Sequence, residues 1–237
     1  MVIYRAETTA NLPVFDVISR LFQGFIFKHV APYEHDGFRH ESGKVFKSSV
    51  FKIDYPKDSK EIKILFASLI PETEERFIDH IFRHGLELGT IRLKNETVDT
   101  RRREWKSDDI IFWGDVLLTL KDEKGKKIFL EPKNEKFQEN LKRQSIQKFE
   151  TLIQKEYLGD WNLEVLKQSE NRTKLFYNRK PYFTWSAKYK LSADNEMINL
   201  LLNTGFGSQT MKGFGLVKVE KENFWIDFEK ARGKDTF

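Results

Sequence analysis

The stretch that says most about the fold is residues 203–215, which read Asn203-Thr-Gly-Phe-Gly-Ser-Gln-Thr-Met-Lys-Gly-Phe-Gly215. Two Gly-Phe-Gly triplets are separated by five residues, among them Lys212, and four of the chain's 13 glycines fall here. Glycine is favoured where the backbone takes a positive φ or passes close to another group. We therefore expect a tight loop that either presents backbone N–H groups to a phosphate or packs against a neighbouring strand.

In the rest of the chain, the hydrophobic pattern predicts the same order of elements in each half. In the first half the predicted elements are a strand at 2–8, a helix opened by Pro13, strands at 45–54 and 61–69 joined by a turn at 56–58, a helix from Pro71 to Gly85, and a strand at 88–105. In the second half they are a hairpin of 110–120 and 127–131, a helix at 135–157, strands at 162–167 and 182–191, a short helix at 194–203, and a strand at 216–219.

Each half therefore has a βαββαβ order, with one extra strand in the second, and this is the split pattern of ferredoxin-like folds. The sequence predicts an α+β protein of two tandem ferredoxin-like (RRM-like) domains, residues 1–107 and 108–237. A cleft between the two domains is the expected binding site. The halves share an order of elements and no evident sequence similarity.

The composition limits the classes of function. A net charge of +5 permits a nucleic-acid partner without demonstrating one. The absence of cysteine excludes disulfides, thiolate metal sites and cysteine nucleophiles, and it fits a cytoplasmic protein. No signal peptide is visible and no apolar run approaches the ~20 residues of a membrane helix, so no membrane partner is predicted.

Basic side chains near predicted strand ends are candidate RNA phosphate contacts along the cleft. The alternative is that they are solvated turns and strand ends, which is the more common situation for any one such residue. The candidates are Arg101, Arg102, Arg103, Arg172, Lys174, Arg179 and Lys180.

Two of the five histidines, His80 and His84, stand four residues apart, as zinc ligands on a helix can. The residues between them supply no glutamate base, and no third ligand is obvious nearby. Cationic side chains in a last helical turn already have a structural reason to be there. The sequence therefore predicts no metal site and no cofactor.

His35 and His40 lie in an irregular stretch after the first helix, together with Tyr33, Lys44 and Lys47. An imidazole can give or take a proton near neutral pH, and a lysine can offset a developing oxyanion. RNA carries its own nucleophile, the 2′-hydroxyl, so this pair of groups would suffice to cut it without a metal. A solvated loop is the alternative interpretation of the same residues.

The glycine segment resembles the hallmark of the CRISPR-associated, repeat-cleaving endoribonucleases of the RAMP superfamily, which is Gly-hydrophobic-Gly, five residues, Gly-hydrophobic-Gly. Residues 21–27, Leu-Phe-Gln-Gly-Phe-Ile-Phe, are similar to a leucine-glutamine-glycine segment of that family, and His40 falls where the family places its catalytic histidine. The doubled βαββαβ order agrees with it. The resemblance thus covers essentially the whole chain.

This resemblance implies a metal-independent cut within CRISPR repeat RNA that leaves a 2′,3′-cyclic phosphate and a 5′-hydroxyl. It makes His40 the general acid or base, with His35 as its rival, and Lys44 the cation at the phosphate, with Lys47 as the next choice. Phe27 stands where family members often have a tyrosine, so Tyr33 is the candidate replacement.

The glycine segment is then expected to bind and position RNA, with Lys212 as a phosphate contact and not a catalyst. Its candidate RNA-binding residues are Gly205, Phe206, Gly207, Ser208, Gln209, Lys212, Gly213, Phe214 and Gly215.

Two alternatives are open at this point. The chain could be a non-catalytic subunit that holds repeat RNA in a CRISPR interference complex, or a protein-binding pair of ferredoxin-like domains with no RNA role. Other interference-complex subunits and a second copy of the chain are therefore partners that the sequence leaves undecided.

Overall fold

The computed structural model describes residues 1–9, 15–54 and 60–220. The predicted helix start at Pro13, the predicted turn at 56–58 and the chain after residue 220 lie outside these ranges. The division suggested between residues 107 and 108 falls between the last strand of one sheet and the first strand of the next.

In the first half the elements, in chain order, are β1 (Val2–Thr8), α1 (Phe15–Phe25), a π-helical turn (Ile26–Val30), a 3₁₀ turn (Pro32–Glu34), β2 (Phe38–Arg39), β3 (Val45–Phe46), β4 (Ser49–Asp54), β5 (Glu61–Ser68), α2 (Pro71–His84) and β6 (Leu93–Thr100).

The first half forms an antiparallel sheet in the order β4-β5-β1-β6. Leaving aside the short β2–β3 hairpin, this is the strand order of a ferredoxin-like βαββαβ unit. One face of β1, with Val2 and Tyr4, packs under Phe22 of α1 and Phe77 of α2. The opposite face carries Ile3, which is also fully buried. Both faces of this sheet are therefore covered.

The second half repeats this topology in a sheet of order β10-β13-β7-β14 and adds two hairpins, β8–β9 and β11–β12. The prediction of an α+β protein with two ferredoxin-like units in tandem is confirmed. The elements are β7 (Asp109–Asp115), β8 (Thr119–Lys121), β9 (Lys127–Phe129), α3 (Glu135–Ile153), β10 (Trp161–Gln168), β11 (Thr173–Tyr177), β12 (Lys180–Thr184), β13 (Ser186–Ala193), α4 (Asn195–Thr204), a 3₁₀ turn (Thr210–Lys212) and β14 (Lys218–Val219).

The two halves share a small apolar core. Leu216 of the second half packs with Ile3, Val50 and Leu65 on the face of the first sheet that α1 and α2 leave free. Helix α4 lies against β4 and β5 on the same side. This burial brings the glycine segment, which follows α4, to the junction between the halves.

Local sequence explains several element ends. Pro71 opens α2, where the missing N–H costs nothing, and Gly85 closes it with φ of 72°. Asn134 and Asp194 cap α3 and α4 by accepting hydrogen bonds from the main chain of the first turn. Helix α3 ends at Ile153, four residues before the predicted end, because Gln154 adopts a left-handed conformation.

The structure corrects four predicted strands, of which 110–120 is divided into β7 and β8. The run 182–191 is broken near Trp185, and the buried positions change phase there, from Tyr182 and Thr184 to Ala187 and Tyr189. The run 45–54 is divided into β3 and β4, and the strand predicted at 88–105 spans only Leu93–Thr100. Strand β11 was not predicted. Within the described ranges, no helix is both long and apolar enough to cross a membrane.

Candidate functional site

The β2–β3 hairpin places His40 at its turn. The backbone N–H of His40 donates to the carbonyl of Lys44 (2.9 Å), and the N–H of Gly43 donates to the carbonyl of His40 (2.9 Å). Gly43 has φ of 80°, which a tight turn requires. The hairpin therefore carries His40 and Lys44 together on one turn.

The His40 side chain is held from both of its ring nitrogens. Nδ1 lies 2.8 Å from Oγ of Ser42 and accepts the Ser42 backbone N–H at 3.1 Å. Nε2 lies 3.5 Å from Oε2 of Glu150 in α3. The imidazole is thus held between its own turn and a helix that is about 110 residues away in the chain.

Lys44 contacts the same helix. Its Nζ donates to Oε1 of Gln147 at 2.8 Å. Partial burial, together with the positive charge of Arg143, lowers the pKa of Lys44 below its usual range. An ammonium in this setting is poorly compensated, and an incoming anion would stabilise it.

His40 and Glu150 line a polar cleft of about 420 Å³ between the hairpin and the end of α3. The α3 residues of this site were not predicted from the sequence. Arg143, Gln147 and Glu150 recur at helical spacing and so share one polar face of α3. Gln154 follows at the C-terminal cap of the helix. Only this spacing could have suggested them, and nothing in the sequence says which element they face. The residues that line the cleft are Arg39, His40, Glu41, Glu150, Thr151, Gln154, Lys155 and Glu156.

The other predicted catalytic side chains have different surroundings. The ammonium of Lys47 donates to the carbonyls of Glu34 and His35, and so secures the loop. His35 is 74% exposed and pairs with Asp36 at 3.3 Å. The Tyr33 hydroxyl hydrogen-bonds to Thr73 on α2. The structure therefore brings His40 and Lys44 together with α3 and engages Tyr33 and Lys47 in loop packing.

The glycine segment is a packing element, the second of the two expectations for it. All four glycines of its triplets have positive φ, between 71° and 91°. A Cβ at Gly205 would lie 2.8 Å from Cγ2 of Val50, and one at Gly207 would lie 2.7 Å from the carbonyl oxygen of Leu117. Backbone this close to its neighbours tolerates no side chain.

The two phenylalanines of the segment are buried and cannot be exposed contacts for RNA bases. Phe206 is fully buried and its ring lies 4.3 Å from that of Phe112, and Phe214 lies 5.8 Å from Tyr182. Their rings are therefore not available for stacking on a base, which needs an exposed ring face, and the RNA-binding role of the segment stays a prediction.

The polar residues of the segment face neighbouring elements. Ser208 donates through its hydroxyl to Gln144 of α3 at 3.2 Å. The Nζ of Lys212 donates to the hydroxyl of Tyr182 at 3.2 Å and lies 4.8 Å from the centre of the Tyr177 ring. Lys212 therefore lies beside the β11–β12 hairpin.

A buried lysine joins α3 to the glycine segment. Lys148 is 3% exposed, and its Nζ donates to the carbonyl of Gly205 at 2.6 Å, at the C-terminal end of α4. Burial lowers the pKa of Lys148 to about 7, and the charge of Glu34 opposes this change. The same helix therefore positions both the glycine segment and the partners of His40 and Lys44.

One predicted RNA-binding arginine has a structural role. Arg103 is 6% exposed, and its guanidinium donates to the carbonyls of Leu202 (2.9 Å) and Val217 (2.8 Å). Its predicted contact with RNA is corrected, because both bonds are internal. Arg101 and Arg102 are exposed and pair with Asp99 and Glu104.

The remaining basic candidates are exposed on the β11–β12 hairpin. Arg172 stacks over the Phe183 ring at 4.2 Å, and Lys174 lies 4.9 Å from the centre of the Phe176 ring, which is 46% exposed. Tyr177 of this hairpin hydrogen-bonds to Gln23 of α1, so the hairpin reaches the first half. The hairpin candidates are Arg172, Lys174, Arg179 and Lys180.

Comparison with family models gives one match, to the C-terminal part of the CRISPR-associated protein Cas6, over residues 116–219. Residues 116–219 are therefore similar to the C-terminal part of Cas6. This match confirms the resemblance to CRISPR-associated proteins. The matched residues contain α3, both added hairpins and the glycine segment, and they supply one wall of the cleft.

Solved structures extend the likeness to the whole chain at the level of fold. A CRISPR-associated protein Cas6 superposes with a TM-score of 0.69 at 18% identity over 93% of this chain and 98% of its own. The product of a Cas6-related gene from Pyrococcus furiosus gives 0.71 at 16% identity over 94% and 99%. A Cas6 product complex gives 0.64 at 13% identity over 92% and 99%. Sequence comparison with curated proteins finds no match.

Proposed function

We propose that this protein is an endoribonuclease that cuts CRISPR precursor RNA within the repeat and needs no metal ion. The observation that carries the proposal is the placement of His40 and Lys44 on one turn, directly opposite α3 in the part of the chain that matches Cas6. A proton-transfer group lines an open polar cleft there, and a cation lies on the same turn. Two of the similar solved structures are described as Cas6 product complexes, which supports the assignment of RNA as substrate.

The reaction uses the RNA 2′-hydroxyl as nucleophile. A base removes its proton, O2′ attacks the adjacent phosphorus, the P–O5′ bond breaks, and O5′ receives a proton. The products are a 2′,3′-cyclic phosphate and a 5′-hydroxyl. His40 makes one of the two proton transfers, and the Lys44 ammonium stabilises the negative charge that develops on the phosphate oxygens.

RNA binding would be electrostatic and shared between the halves. The exposed β11–β12 hairpin combines Arg172 and Lys174 with the exposed ring of Phe176, a combination suited to phosphates and unpaired bases. Lys212 lies on the side of the glycine segment that faces this hairpin. Binding is accordingly expected to weaken as salt rises.

The test is incubation of the purified protein with a repeat RNA in EDTA, with analysis of both product ends. We expect cleavage at one position, ending in a cyclic phosphate. A second RNA carries a 2′-deoxy nucleotide on the 5′ side of the cut and should remain intact. Cleavage that needs a metal, or that continues on the deoxy RNA, contradicts the proposed mechanism.

One observation favours a second candidate, a non-catalytic subunit that holds repeat RNA. Both site residues are engaged by α3, since Glu150 lies at Nε2 of His40 and Gln147 accepts from Lys44. If Gln147 keeps the Lys44 ammonium with RNA bound, no cation reaches the phosphate and the site does not catalyse cleavage. Tight, salt-sensitive binding without product under any condition would support this alternative.

A further inference from the structure

We propose that Glu150 is a positioning residue for His40, with its carboxylate holding the imidazole at the productive side of the cleft. The proposal rests on the function proposed above. Glu150 is on α3, its Oε2 lies 3.5 Å from Nε2 of His40, and its side chain is 31% exposed while that of His40 is 11% exposed. The pair is therefore partly shielded from water, where an electrostatic contact with the ring is stronger than at an open surface.

The hairpin that carries His40 needs such support. Strands β2 and β3 have two residues each, and a hairpin this small is marginal on its own. Helix α3 has 19 residues and is fixed at Lys148, whose buried ammonium binds the end of α4. Contacts from α3 to His40 and Lys44 therefore hold the small β2–β3 hairpin in place against a long helix.

The contacts on the other side of the ring fix its orientation. The backbone N–H of Ser42 can only donate, so Nδ1 of His40 must accept it, and the hydrogen of the neutral ring then resides on Nε2, facing Glu150. When the ring is doubly protonated, the Ser42 hydroxyl at 2.8 Å can accept from Nδ1–H. With Nε2–H held by Glu150, Nδ1 is the nitrogen left to exchange a proton with RNA, and its contact with the Ser42 backbone N–H is given up when it is protonated.

The charge of Glu150 gives this role a distinctive signature. A carboxylate in the cleft repels the RNA phosphate, so its presence weakens binding even as it aligns His40. Replacing it with a neutral amide should therefore slow the chemical step and leave affinity equal or improved. Loss of an ordinary structural residue would weaken both.

The kinetic experiment compares Glu150→Gln, Glu150→Asp and a control, Glu139→Gln, which removes an exposed carboxylate from the same helix outside the cleft. In single-turnover cleavage of repeat RNA, Glu150→Gln should be slower by about tenfold to a hundredfold, the size expected for a misplaced catalytic group. Glu150→Asp should recover part of the rate, and the control should match the wild type. A Glu150→Gln variant as fast as the wild type overturns the proposal.

Combination with His40→Ala separates positioning from general structure. If Glu150 acts through His40, adding Glu150→Gln to His40→Ala should slow cleavage no further. A full additional loss in the double variant would mean that Glu150 acts independently, and would overturn the proposal.

A readout without RNA keeps the two proposals apart. The His40 ring N–H, observed by ¹⁵N NMR in the free protein, should lose its protection from water exchange in Glu150→Ala and keep it in Glu156→Ala. An unchanged His40 signal in Glu150→Ala refutes the positioning contact. Failure of the wild-type protein to cut RNA refutes the proposed function and leaves the NMR result to decide the contact.

Discussion

The glycine segment and the His40 turn are constrained in opposite ways. In the segment, positive φ angles and close main-chain contacts leave no room for side chains, and both phenylalanines are buried. At the His40 turn, Gly43 has the same φ of 80° as Gly205 and Gly215, yet nothing lies within 4 Å of where its Cβ would be. Shape therefore fixes the first region, and hydrogen bonds from a distant helix fix the second.

The largest effect should come from Gly215→Ala. Its Cβ would overlap the carbonyl oxygen of Phe206, and the three nearest atoms all belong to the Phe206 main chain, which cannot easily move away. We expect a loss of about 2–4 kcal/mol in the free energy of unfolding, measured by urea denaturation. Gly43→Ala is the matched control with equal φ and open space, and should cost only about 1–2 kcal/mol. Equal losses in the two variants would show that crowding does not distinguish the two regions.

Lys44→Ala should affect chemistry more than binding. Its ammonium is partly buried on the same turn as His40, so its removal takes away the proposed stabilisation of the developing charge. Single-turnover cleavage should slow by about a hundredfold to a thousandfold, with RNA affinity changed only a few-fold. If affinity falls as much as the rate does, Lys44 is a binding residue and the division of roles is wrong.

Lys148 connects the two regions, and its effect should depend on pH. The unfolded chain keeps this proton up to a pH of about 10.5, while burial lowers the pKa in the folded protein to about 7. Between these values the unfolded chain binds more protons, so the Lys148 contribution makes stability rise with pH.

Lys148→Met removes this contribution, and the gain in unfolding free energy between pH 7 and 9.5 should be smaller by about 3 kcal/mol. Urea denaturation of both proteins at the two pH values measures it. An identical pH dependence would mean that the folded protein keeps Lys148 charged throughout.

Lys212→Ala should give the smallest change. Lys212 contacts Tyr182 and Tyr177 of the β11–β12 hairpin, and it is not among the residues that line the cleft of His40. We expect RNA binding to weaken several-fold, with the slope of log affinity against log salt reduced by about one, and the cleavage rate of bound RNA unchanged. Normal affinity with no cleavage would assign Lys212 to catalysis and reverse the comparison.

The sequence predicted the shape-determined region better than the chemical one, for a physical reason. Gly85 ends α2 and the glycines of 205–215 take positive φ. A positive φ favours glycine at that very position, so the residue type alone predicts it. The partners of the site are not local. Lys44 and Gln147 are 103 residues apart, and which face of α3 meets the hairpin depends on the packing of the two halves.

The wrong expectations have similar causes. Arg103 resembles an exposed basic residue near a strand end, yet the chain folds back and its guanidinium satisfies carbonyls at 202 and 217. Phe206 lies between two glycines, which is typical of an exposed loop, yet its ring is buried against Phe112. Burial of this kind follows from tertiary packing, which hydrophobic periodicity does not report.

The most direct test of the account is single-turnover cleavage of repeat RNA by His40→Ala, with RNA affinity measured on the same preparation. Because His40 is assigned one of the two proton transfers, the rate should fall by about two to four orders of magnitude with affinity nearly unchanged. His35→Ala is the matched control and should cleave normally. An undiminished rate in His40→Ala, or a loss confined to His35→Ala, would contradict the assignment of catalysis to the turn opposite α3.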